Sequence, residues 1–151
     1  SGEKFIIEIQ KIIPNATKSS IIKSWNAIIK DLPSSRLKIL QKLKKKFKIF
    51  LLSNTNQIHI DHIINKLGKE KYKMFYHLFD KVYFSHEVKL RKPDYNIFKL
   101  VINENDLKIK KTLFIDDSIQ HINSARKIGL HTYHLDEKKE SLETIFPGIV
   151  Q

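Results

Sequence analysis

The apolar run Leu113-Phe114-Ile115 stops at two adjacent carboxylates and a hydroxyl, Asp116-Asp117-Ser118. Aspartate is a poor strand former, so the pair ends a strand rather than extending it. Helical spacing resumes at once, with Ile119, Ile122, Ala125 and Ile128 on one face and Gly129 as the stop. A strand that turns directly into a helix belongs in an α/β sheet, with the acid pair at its C-terminal lip. That lip is where open α/β sheets bind ligands. Two carboxylates side by side repel each other unless a cation or proton lies between them. Mg²⁺ takes one or two carboxylates together with phosphate oxygens. The same residues equally suit a helix start, because Asp in the first turn favours the helix dipole.

Two upstream segments repeat the pattern. Phe47-Lys48-Ile49-Phe50-Leu51-Leu52 reads as a buried strand, and Ser53-Asn54-Thr55-Asn56 follows it directly. Small polar residues there form either an ordinary capped turn or a loop whose N–H groups and hydroxyls hold an oxyanion. A helix over 57–67 follows, stopped by Gly68. His59 and His62 on it read as ordinary polar positions, because no third ligand shares their spacing. Lys81-Val82-Tyr83-Phe84 is a second strand. After it comes Arg91-Lys92-Pro93-Asp94, where Pro93 is expected at the first position of a helix and Lys92 just before it. His131 to Leu135 is the fourth strand, and 141–146 a short helix or turn.

The first third is helical. Phe5, Ile6, Ile9, Ile12 and Ile13 share a face, Pro14 to Thr17 break it, and Ser19 or Ser20 caps a second helix. That helix carries Ile21, Ile22, Trp25, Ile28 and Ile29, with Trp25 read as a packing anchor. Ser34 or Ser35 starts a third, with Leu37, Leu40 and Leu43 inward.

The 151 residues suffice for one core. No cysteine is present, so disulfides and thiolate metal sites are excluded. No apolar run approaches the roughly 18 residues of a membrane span. No signal peptide is visible, and the expectation is a cytoplasmic protein. The net charge of +12 suggests an anionic partner. However, 25 of the 28 basic residues are Lys, and 24 residues are Ile. That joint excess reads as a genome-wide bias, and no aromatic platform or groove-reading motif supports nucleic-acid binding.

Ser53, Lys92 and the Asp116–Asp117 pair thus fall in order at three strand ends. A hydroxyl, a cation and an acid pair on one lip suit the holding of a phosphoryl group beside Mg²⁺. The arrangement resembles the haloacid dehalogenase-like superfamily. Phe50 to Thr55 is similar to its second motif, Arg91-Lys92-Pro93-Asp94 with Ile97-Phe98 to its third, and Phe114 to Ser118 with Ala125 to Gly129 to its fourth. The resemblance implies a Rossmann-like three-layer core with a parallel sheet, residues 34–151, preceded by the remainder of a helical cap, residues 1–33. It implies that Ser53 and the Asn54 backbone bind the phosphoryl group. It also implies that Lys92 neutralises phosphate and nucleophile, and that Asp116, supported by Asp117, holds Mg²⁺. The activity implied is hydrolysis of a small phosphorylated metabolite.

One departure stands out. The superfamily's first motif is an Asp-x-Asp on the central strand, whose first Asp becomes an aspartyl-phosphate. No Asp-x-Asp occurs in this chain. A smaller departure is His121, where many relatives carry Asn. The expectation is therefore a gap between the strands ending at Leu52 and Ile115, with unpaired edges. A missing N-terminal segment or a companion chain would fill it, unless the two strands close up against each other. A non-catalytic phosphate-binding relative and a dehalogenase are the competing readings; the acid pair argues against the second, which needs no metal. A receiver domain has its acid pair first and its Lys last, the reverse of this order.

Overall fold

The computed structural model describes residues 2–150. Helices α1 (Gly2–Ile12), α2 (Lys18–Asn26) and α3 (Ser34–Lys44) come first. Then β1 (Phe50–Ser53), α4 (Gln57–Leu67), α5 (Lys69–Tyr76), β2 (Lys81–Phe84) and α6 (Ser85–Val88) follow. The chain continues through α7 (Tyr95–Glu104), β3 (Leu113–Asp116), α8 (Ile119–Lys127), β4 (His131–His134), α9 (Leu142–Ile145) and α10 (Pro147–Val150). No helix among the described residues is long and apolar enough to cross a membrane.

The fold is α/β with parallel strands. β1 pairs with β2 in the register Phe50↔Lys81 to Ser53↔Phe84. β3 pairs with β4 in the register Leu113↔His131 to Asp116↔His134. Among the described residues no ladder joins β1 to β3, so the sheet exists as two parallel pairs. The expected gap between these strands is therefore present. Its local consequence is incomplete burial: every residue of β1 is only part-buried and Leu113 is 48% exposed. The expected buried strand over 47–52 is corrected accordingly. It starts at Phe50, and Phe47 is 56% exposed.

The core joins the two pairs. Ile97 and Phe98 of α7, Ala125 of α8 and Leu130 are buried together, with Leu52 of β1 and Phe114 of β3 packed against them. The Phe98 and Phe114 rings meet edge to face at 5.1 Å. A buried side chain of this size contributes about 2–3 kcal/mol, so α7 is the main apolar tie between the half-sheets.

Several boundaries differ from the sequence expectation for local reasons. Thr17, not Ser19 or Ser20, caps α2, accepting from the Ser20 N–H at 3.1 Å. α2 ends at Asn26, which leaves Ile28 outside it and 70% exposed. In α3, Ile39 and Leu43 are buried, whereas Leu37 and Leu40 are part-buried. Pro93 precedes the α7 N-cap instead of opening the helix. Asp94 takes the cap and accepts from the Asn96 N–H at 2.9 Å. Gly68 ends α4 at φ 81°, a backbone angle that other residues rarely adopt.

Candidate active site

Parallel pairing puts the C-terminal ends of the strands on one lip. Ser53 is the last residue of β1 and Asp116 the last of β3. Lys92 reaches between them. Its Nζ donates to the Leu52 carbonyl at 2.8 Å and to Asp116 Oδ2 at 2.7 Å. The Lys92 and Asp116 side chains are 8% and 7% exposed. The ammonium also lies 5.6 Å from the centre of the Phe114 ring. A buried pair of this kind is strongly destabilised by removing one partner.

The loop after β1 fixes where Lys92 sits. Asn54 Nδ2 donates to the Lys92 carbonyl at 2.8 Å, and the Lys92 N–H donates to Asn54 Oδ1 at 2.9 Å. This two-way amide clamp joins two loops far apart in sequence. Ser85, the first residue of α6, fastens the same loop, with the Thr55 N–H donating to its hydroxyl and the hydroxyl donating back to the Thr55 carbonyl, both at 3.0 Å.

Asp116 accepts from three directions. Besides Lys92, the Ser118 N–H donates to Oδ1 at 2.9 Å, and His121 Nδ1 lies 2.8 Å from the same oxygen. Burial pushes its carboxyl up. The Lys92 hydrogen bond and charge, with the Ser118 and His121 hydrogen bonds, outweigh that and hold it below the ordinary carboxylate range. Asp117 is exposed, and its carbonyl faces His134 Nε2 at 3.0 Å.

Of the residues expected at the site, the structure joins Lys92, Asn54 and Asp116 by direct hydrogen bonds. Ser53 stands beside them at the strand end, and no hydrogen bond engages its side chain among the described residues. Asp117 shares the turn with Asp116 but not its partners. Two roles were not anticipated. Asn54 acts through its side chain, and Ser85 locks the loop; the cue for Ser85 was only a hydroxyl directly after an apolar strand. His59, read as an ordinary polar position, is 6% exposed, with Nε2 3.2 Å from the Trp25 carbonyl and its ring stacked 5.7 Å from Trp25.

The donors present are carboxylate oxygens, a hydroxyl and an ammonium, which suit a hard cation with a phosphoryl group rather than a soft metal. Among the described residues no group of three or more His, Cys, Asp or Glu side chains forms a metal cage. Mg²⁺ does not require one when waters and phosphate complete its shell.

Comparison with known proteins identifies the family. A family profile described as haloacid dehalogenase-like hydrolase matches residues 20–129. A D-ribitol-5-phosphate phosphatase from Bacteroides thetaiotaomicron is 25% identical over 111 residues, covering 74% of this chain and 54% of the relative. The chain thus spans about half the length of that relative. A HAD family enzyme from the same organism, solved with magnesium and inorganic phosphate, superposes with TM-score 0.82 at 31% identity, covering 95% of this chain and 73% of that one. A predicted HAD-like hydrolase from Porphyromonas gingivalis gives TM-score 0.85 at 27% identity, covering 100% and 74%. With nearly three quarters of its residues inside the family profile and the motif residues assembled at one lip, the chain belongs to the haloacid dehalogenase-like hydrolases.

Proposed function

We propose that this lip binds a phosphoryl group beside Mg²⁺ and that the whole protein hydrolyses small phosphomonoesters. The observation that carries the reading is the buried Lys92 ammonium, held between the Leu52 carbonyl and Asp116 next to the unengaged Ser53 hydroxyl. Ser53 and Lys92 are the catalytic groups of this chain, and Ser53, Asn54 and Lys92 the phosphate-binding ones. Asp116 and Asp117 hold the metal, which when bound offsets the charge on the phosphoryl oxygens. The phosphatase relative and the neighbour solved with magnesium and phosphate support the same chemistry.

Residues 1–33 read as the remainder of a helical cap and 34–151 as the core. The attacking carboxylate lies outside the sequence, because no Asp-x-Asp occurs in it. A segment N-terminal to these residues, or a companion chain, brings it on a strand inserted between β1 and β3. A cytoplasmic location fits such substrates, because charged esters do not cross hydrocarbon readily.

The test is hydrolysis of an aryl phosphate with Mg²⁺ by the 151-residue chain and by an N-terminally extended form. The extended form is expected to be active, and the short chain at least about 10⁴-fold slower for want of its nucleophile. Comparable activity in the short chain overturns the missing-nucleophile argument. An inactive extended form that still binds phosphate points to a non-catalytic relative.

A further inference from the structure

Three residues separate Ser53 from the first turn of α4, and each is held by a different part of the molecule. Asn54 is clamped to the Lys92 backbone, and Thr55 to Ser85. Asn56 is held by His59 and, through its ring, by α2. The first two ties fix the loop to the core. The third fixes it to the helices that precede β1.

Asn56 is the N-cap of α4, and His59 is the third residue of that helix. The His59 N–H donates to Asn56 Oδ1 at 3.1 Å, the ordinary N-cap bond. That bond turns the amide so that Nδ2 faces the imidazole, 3.3 Å from Nδ1. An amide NH₂ group only donates, so Nδ1 carries no proton. The other ring nitrogen, Nε2, lies 3.2 Å from the Trp25 carbonyl. A carbonyl only accepts, so Nε2 carries the proton and donates it there. Both ends of the ring thus require one and the same tautomer. Trp25 lies in the last turn of α2, where carbonyls have no partner within their own helix. The buried ring also stacks on the Trp25 indole, which meets Phe5 of α1 at 4.4 Å.

We propose that His59 is a positioning residue for the phosphate loop, setting the placement of Ser53 to Asn56 from α2. Capping alone needs only the backbone N–H at this helical position, which nearly any residue supplies. The imidazole adds a fixed acceptor toward the loop and a fixed donor toward α2. Ser53 depends on such an anchor because β1 pairs only with β2 among the described residues and is part-buried throughout. The inference rests on the reading of this loop as the one that binds the phosphoryl group.

The test uses the N-terminally extended form. His59→Phe keeps a ring beside Trp25 and removes both side-chain hydrogen bonds. Asn56→Ser keeps a good N-cap and removes the donor to Nδ1. Each is expected to lower kcat/KM on an aryl phosphate about tenfold, the cost of a slightly misplaced binding group. His59→Gln, with an acceptor and a donor on one planar end, is expected to recover most of that loss. In a Ser53→Ala background, adding His59→Phe is expected to cost less than about twofold, because residues that act through one another are not additive. The full loss in that background overturns the proposal. Two readouts do not depend on turnover. NMR of the imidazole nitrogens is expected to show a protonated Nε2 and a bare Nδ1; the opposite tautomer overturns the bridge. Hydrogen exchange at Asn54 and Thr55 is expected to quicken at least about tenfold in His59→Phe, with α7 unchanged. Exchange that is unchanged, or that rises equally in α7, overturns the positioning role whatever the activity. Selective loosening in a protein whose unaltered form neither binds phosphate nor hydrolyses esters supports the positioning role and overturns the phosphatase reading instead. Asn56→Ser and His59→Gln keep the test valid if His59→Phe unfolds.

Discussion

Lys92 keeps its charge where water is nearly excluded, because two acceptors from different strands meet its ammonium. Replacing it with Met leaves Asp116 buried and uncompensated, a loss of about 3–5 kcal/mol. The double change Lys92→Met with Asp116→Asn is expected to restore most of that, as read from denaturation midpoints. In the active form of the protein, Lys92→Met is expected to lower kcat at least about 10²-fold, the size of losing one stabilising group aimed at developing charge. Asp116 adds a pH signature. Its carboxyl is held below its unfolded value, so its contribution to stability is complete above the ordinary carboxylate range near pH 4. That contribution disappears as pH falls through the lower, folded value. Urea titrations from pH 7 to 2 should show this acid limb in the native sequence and a shallower one in Asp116→Asn.

At the scale of elements, strand ends were legible and their partners were not. An apolar run followed by polar turn residues marks the end of a strand wherever it occurs, which is why Ser53 and Asp116 could be placed from the sequence. Lys92 was expected at a strand end too, but it lies in the loop beyond α6, after β2 has ended at Phe84. That Asn54 would hold the Lys92 backbone could not be read, because it depends on two loops meeting 38 residues apart. Helix ends were missed where several residues compete for a cap, as Thr17 does with Ser19 and Ser20. Pro93 was misplaced because proline is tolerated both at the first helical turn and just before the cap, and Asp94 took the cap. The Asn54 clamp makes its own prediction. Asn54→Ala removes two hydrogen bonds and strands the Lys92 N–H, costing about 2 kcal/mol. A fall of roughly 5 °C in melting temperature is expected by calorimetry, with slower turnover in the active form.

For the whole molecule, two parallel strand pairs hang on α7 and on one lysine. The half-sheets should therefore open more easily than the helix that joins them. Hydrogen exchange of the 151-residue chain is expected to be at least about tenfold faster in β1 and β3 than in the middle of α7. On the proposed reading, an N-terminally extended form should slow exchange in the two strands selectively; equal protection in both forms would mean that nothing inserts between them. The absent motif made this gap legible in the sequence.

The hold of Lys92 on Asp116 also sets a charge balance. The ammonium and that carboxylate cancel within a nearly closed pair, so neither is free to meet a ligand while the other holds it. On the proposed reading, a cation that took Asp116 as a ligand would loosen the hold on Lys92 and release its ammonium to an incoming phosphoryl oxygen.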